Sequence, residues 1–208
     1  MRISRVHAPV TVLGPGQRVG VWVQGCTLAC PGCASRDTWD PAGGREVTTA
    51  DLLGTVAELG ASCTGLTISG GEPLQQPLAL ADLLRAVRAD PRTRGWDVLV
   101  FTGLLPEEWD ADQRNAIQRA DAAVVGRYRA GEAGAEWLRA SANQRLLTLT
   151  DIGRQRFVNP HGAGGGLQLV VDEDGLTMIG LPRPGDLGRM ERELHRRGVT
   201  LTGVSWRS

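Results

Sequence analysis

Two hydrophobic periods alternate along most of this chain. VGVWVQG at 19–25, TGLTIS at 64–69, WDVLVFTG at 96–103 and DAAVVG at 121–126 are short, nearly continuous apolar runs, as expected of strands covered on both faces. Between them, apolar positions recur every three or four residues. Leu52, Leu53, Val56 and Leu59 predict a helix that Thr48 or Thr49 caps and Gly60 ends. Leu80, Leu83, Leu84 and Val87 predict a second, from about Leu78 to Ala89, closed by Asp90-Pro91. A third is expected over 106–120, with Pro106 at its start. Residues 3–15 read as a short strand and turn, and Gly14-Pro15-Gly16 forces an irregular connection. Strands alternating with helices imply βαβ units, a parallel sheet and right-handed crossovers, with the chemistry at the carboxyl ends of the strands.

The pattern changes after about residue 145. NPHGAGGG at 159–166 reads as a Gly-rich linker and LQLVVDEDGLTMIG at 167–180 as a hairpin around an Asp-Gly turn. DLGRMERELHRRG at 186–198 is an amphipathic helix, followed by a strand in VTLTGVSW. The expected organisation is a core over 1–150 and a C-terminal extension over 151–208 in β-β-α-β order.

Composition removes several functional classes. Charge is balanced, 23 basic against 23 acidic, so nothing global points to nucleic acid or an anionic membrane. Every basic residue is Arg, which together with abundant Ala and Gly reads as coding bias. No apolar run reaches the length of a membrane span, and the N-terminus lacks the apolar stretch of a signal peptide, so the expectation is a cytoplasmic protein. His7, His161 and His195 show no metal spacing, and HGAGGG lacks the lysine and helix of a phosphate loop.

The chemistry concentrates in QGCTLACPGCASRDTWD at 24–40. Cys26, Cys30 and Cys33 stand in a C-x3-C-x2-C spacing, and Gly25, Pro31 and Gly32 supply turns that let three thiolates converge. A zinc knuckle completed by Cys63 or a histidine is one reading. Structural zinc normally takes four protein ligands, however, and Cys63 is the only further cysteine. A cubane iron-sulfur cluster on three cysteines would leave one iron open to a small ligand.

The C-x3-C-x2-C motif, followed by a strand ending in Gly70-Gly71-Glu72-Pro73, resembles the radical S-adenosylmethionine (SAM) superfamily. GPGQRVGVWVQGC, CPGC and TWD, continued by ISGGEPLQQP, VFTG, VVGRY and ASANQR, look like the activating enzyme of anaerobic (class III) ribonucleotide reductase. The resemblance covers roughly the first 150 residues. Leu28 and Ala34 depart from it; that family commonly carries His at the first position and an aromatic or His at the second. The resemblance implies an incomplete parallel β/α barrel, which suits a chain shorter than the about 250 residues of a full one. It implies a 4Fe-4S cluster on Cys26, Cys30 and Cys33, and SAM held by Gly70, Gly71, Glu72 and Pro73. Thr102, Gly103, Gly126, Arg127 and Asn143 are further pocket candidates by position, and Trp39 and Asp40 are expected to fold the loop over the cluster. No catalytic side chain is assigned beyond the cluster. The expected activity is reductive cleavage of SAM to a 5'-deoxyadenosyl radical that makes a glycyl radical on a partner enzyme. The electron would come from a donor such as flavodoxin or ferredoxin. Direct modification of a peptide or small molecule, and a non-catalytic metal-binding module, are the competing readings.

Overall fold

The computed structural model describes residues 1–158, 166–172, 175–202 and 204. Its strands and helices are β1 (Arg2–Val10), β2 (Arg18–Val23), β3 (Arg45–Glu46), α1 (Thr49–Leu59), β4 (Gly65–Gly70), α2 (Pro77–Ala89) and β5 (Asp97–Thr102). There follow α3 (Ala111–Ile117), β6 (Ala122–Val125), β7 (Ala133–Glu136), β8 (Arg139–Ser141), β9 (Arg145–Thr148) and α4 (Asp151–Arg156). A hairpin of β10 (Leu167–Asp172) and β11 (Gly175–Gly180) precedes α5 (Asp186–Arg196).

Seven strands form one sheet in the order β3-β1-β2-β4-β5-β6-β9. The central four run parallel in sequence order, while β1 and β9 flank them antiparallel. Successive right-handed crossovers in one direction put every connecting helix on the same face, and α1 packs on α2 and α2 on α3 accordingly. Because side chains alternate along a strand, Val19, Val21, Val23, Leu66, Ile68, Val98, Val100, Ala123 and Val125 meet those helices. The intervening residues Trp22, Leu99, Ala122 and Val124 face the other way. They are covered by Leu138, Phe157 and Ile179, from the chain after β6. Both faces are therefore buried, which is why these strands read as continuous apolar runs.

A buried ion pair ties the amino ends of the parallel strands. Arg18, 0% exposed, reaches Asp97 at 2.5 Å and donates to Thr67 Oγ1 at 2.6 Å and to the Leu66 carbonyl at 2.8 Å. Arg156 of α4 adds a second ion pair to Asp97, at 2.9 Å. Burial pushes the Arg18 pKa down, and the Asp97 charge opposes it.

Two predicted elements differ from the structure. The helix expected over 106–120 is shorter, because Pro106–Glu108 form a single 3-10 turn and Asp110 then caps α3 by accepting from the Gln113 amide at 2.8 Å. In the run expected as a last strand, residues 199–202 are not in a strand. The Val199 amide instead donates to the Leu194 carbonyl and Gly198 (φ 80°) to His195, a Schellman cap on α5. Residues 203, 205 and 206 of that run, residues 159–165 of the predicted linker at 159–166, and residues 173–174 of the hairpin turn lie outside the described residues. Among the described residues no helix is long and apolar enough to cross a membrane.

Candidate metal and cofactor site

The cysteine loop leaves the carboxyl end of β2 and returns to it. The amides of Gly25 and Cys26 donate to the carbonyls of Thr38 and Trp39, at 2.8 and 3.0 Å, closing the loop at its neck. The buried Gln24 side chain braces the neck from within, donating to the carbonyls of Asp37 (3.2 Å) and Asp40 (2.8 Å). Inside the loop the Cys33 amide donates to the Cys30 carbonyl at 3.1 Å across Pro31-Gly32, with Gly32 at φ 77°. Proline followed by a residue at positive φ is the requirement of a type II turn, so the CPGC spelling sets how these two cysteines stand to one another.

Burial pushes the Cys26 and Cys30 thiols up, because the thiolate loses hydration. Backbone groups oppose this: Leu28 and Ala29 against Cys26, and Tyr128 against Cys30. The Ser35 amide donates to Cys33 Sγ at 3.4 Å.

The GGEP segment is held beside that loop by continuing the β2–β4 pairing beyond the strands. Gly71 donates to the Val23 carbonyl and Glu72 to the Gly25 carbonyl, both at 2.9 Å. A Cβ on Gly70 or Gly71 would run into the backbone of Val23 or Gly25, and Gly70 also has φ 99°. The two glycines thus serve the approach of two backbones to one another. Glu72 is 1% exposed, and its carboxylate accepts from the Leu74 amide (2.9 Å), Thr102 Oγ1 (2.7 Å) and the Gly103 amide (2.7 Å). Burial pushes its pKa up; those three donors pull against it.

These pieces line one cavity of about 120 Å³ at the carboxyl ends of the parallel strands. Cys26, Cys30, Cys33, Gly70, Gly71, Glu72, Thr102, Gly103 and Gly126 are all on its wall. Pro73 is buried behind it as the first residue of a 3-10 turn, and Arg127 turns outward to Glu108 at 2.8 Å. Asn143 holds the Arg127 carbonyl from outside. The cavity also takes Trp39, Ser69, Phe101, Tyr128 and Gln144. Gln144 donates to the Gly126 carbonyl at 2.9 Å, so it fixes the chain where β6 ends. Sequence reasoning singled out Asn143 and passed over Gln144; only the pairing of Arg145 with Val125 in β9 brings Gln144 to the site.

The donor set is three thiols on one cavity wall, and thiolates are the ligands of iron-sulfur clusters. A cubane takes each thiolate on a different iron, so it asks for thiols spread around a cavity, and amides beside their sulfurs favour the charge they would carry. Cys63 cannot complete a zinc site. It is buried just before the amino end of β4, a strand length of about 20 Å from the loop.

The comparisons with known proteins agree with this chemistry. A family described as "4Fe-4S single cluster domain" matches residues 12–147. The anaerobic ribonucleoside-triphosphate reductase-activating protein of Enterobacteria phage T4 is 33% identical over 158 residues, 73% of this chain and 96% of that protein. Its counterpart in Escherichia coli K12 is 31% identical over 127 residues, covering 59% and 82%. Pyruvate formate-lyase 1-activating enzyme of E. coli K12 is 41% identical over 95 residues, 42% of this chain but only 39% of that enzyme. Among solved structures, QueE from E. coli covers 58% of this chain and 68% of its own at 18% identity and a TM-score of 0.42, a likeness too loose to bear on the site.

Proposed function

The chain belongs to the radical SAM activating proteins that carry a single 4Fe-4S cluster domain, and we propose that it generates a glycyl radical on a partner such as an anaerobic ribonucleotide reductase. Its cofactors are the 4Fe-4S cluster and SAM. One observation carries the reading: three spread thiols, the Gly70-Gly71-Glu72 segment and Thr102-Gly103 face one cavity at the strand ends.

Within that reading the architecture is an open, partial barrel over 1–150, with 151–208 as an added unit. Cys26, Cys30 and Cys33 would hold the cluster, and with SAM beside it the pair would supply one-electron reductive cleavage chemistry directed at a hydrogen atom of the substrate. The chain's own residues position and enclose. Glu72 puts a negative charge beside the site for the ammonium group of SAM and fixes the Gly103 backbone; Thr102 and Gly126 shape the wall, and Gln144 fixes Gly126. Burial of Glu72 and Thr102 limits water on that side of the site. No acid-base side chain is needed, and the electron comes from a one-electron donor of the flavodoxin or ferredoxin kind.

The test is anaerobic reconstitution followed by iron and sulfide analysis, dithionite-driven conversion of SAM to 5'-deoxyadenosine, and electron paramagnetic resonance of added reductase. About four irons per chain, product, and a glycyl-radical signal are expected. Zinc, or a cluster with no SAM cleavage, overturns the reading.

A further inference from the structure

The thiol cavity is too small to hold SAM by itself. Sites that bury a ligand of drug size have about 300–1,000 Å³. This cavity has about 120 Å³, and the three thiols of a cluster already stand on its wall. A second space of about 340 Å³ adjoins it, and the two share Cys33, Ser69, Tyr128 and Gln144. SAM has two chemically different ends. With its ammonium group at Glu72, its uncharged adenosine end needs room beyond the smaller cavity, and the adjoining space is of the right size.

That space also has the make-up of a nucleoside site. Leu13 and Trp22 line it from the sheet, with Met178, Leu181 and Leu187 opposite. Arg183 is the single charged residue among its described lining residues, and it is exposed. Ser69 and Tyr128 bring hydroxyls to the shared wall, and among the described residues neither hydroxyl has a hydrogen-bond partner in the protein. Apolar walls with a few polar groups are what small-molecule sites present. The far wall is anchored: Ile179, 2% exposed, is buried with Val10, Leu13 and Trp22, and Leu181 and Phe101 pack on the same group. Gln168 of β10 ties the hairpin down as well, donating to the Pro9 carbonyl at 2.8 Å and accepting from the Thr11 amide at 3.1 Å. All of this wall lies beyond residue 147, where the family match ends.

We propose that SAM spans the two spaces with its adenosine moiety in the larger one, so that Met178, Leu181 and Leu187 of the C-terminal unit are cofactor-binding residues. Ser69 and Tyr128 serve the ribose hydroxyls at the junction. The unit added beyond the family match thus completes the cofactor site. The inference rests on the placement of the SAM ammonium group at Glu72 and does not depend on which partner receives the radical.

The test uses the full chain, reconstituted anaerobically and left unreduced so that SAM binds without being cleaved. Radiolabelled SAM, 5'-deoxyadenosine and methionine are the probes, in equilibrium dialysis. Leu187→Trp, which fills the space from its far wall, is expected to raise the dissociation constants of SAM and 5'-deoxyadenosine at least tenfold and to leave that of methionine unchanged. Leu169→Trp, at an exposed position of β10, should change none of the three. The wild type needs no variant: with its three methionine methyls labelled, the Met178 signal should shift with 5'-deoxyadenosine and not with methionine. A Met178 signal that moves only when the reductase is added, or unchanged SAM affinity in a Leu187→Trp chain whose hairpin amides exchange as in the wild type, would overturn the adenosine site and leave the Glu72 placement standing. Methionine bound equally well by the wild type and by Glu72→Gln would overturn that placement, and the adenosine site would fall with it.

Discussion

Single residues divide here into those that build the cavity and those that hold its frame. Replacing Cys26, Cys30 or Cys33 by Ala is expected to abolish 5'-deoxyadenosine formation, with parallel loss of iron. Full turnover in any of the three would remove the assignment. Glu72 gives a pH signature. Its pKa in the folded protein lies above its ordinary 4.5, so its contribution to stability is complete below that value and declines as pH rises through the folded one. Denaturant midpoints of the wild type should therefore fall relative to those of Glu72→Gln as pH increases from 4.5, a difference that SAM, with its ammonium group, should reduce. Asp97→Ala leaves Arg18 buried without its partner, and a loss of about 3–5 kcal/mol in urea unfolding is expected. The cysteines and GGEP were legible because each follows a strand end in sequence. Arg18–Asp97 was not, since its partners meet only when β2, β4 and β5 are side by side.

At the scale of elements, the parallel strands and α1 and α2 were readable because burial on both faces and amphipathic spacing are local properties. The start of α3 was not. A proline suggested its first turn at 106, while the reciprocal pair Asp110 and Gln113 sets its start at Ala111. Asp110→Ala should cost about 1 kcal/mol by the same unfolding measurement, whereas Glu107→Ala, in the preceding 3-10 turn, should leave α3 intact. The antiparallel β9 also escaped the reading, because the four-residue RLLT carries no period long enough to mark it. With β9 went Gln144, which owes its place at the site to that pairing.

For the whole molecule, the sheet is covered by its own helices on one face and by the C-terminal third on the other. The hairpin and α5 could be anticipated from the pattern; where they dock could not, because Ile179 finds Trp22 only in three dimensions. A chain ending at residue 158 keeps Phe157 but uncovers Val10, Leu13 and Trp22, and it is expected to bind a hydrophobic dye that the full chain excludes. The neck of the cysteine loop has a consequence of another kind. It is closed by amide-to-carbonyl bonds from Gly25 and Cys26, braced by the Gln24 side chain and tied to the next strand end by the Glu72 amide on the Gly25 carbonyl. The loop is therefore a clasp whose closure is borrowed from the sheet beneath it. Gln24→Ala should open the clasp and leave the sheet folded, read as faster hydrogen exchange at Gly25 and Cys26 with unchanged exchange in β4 and β5.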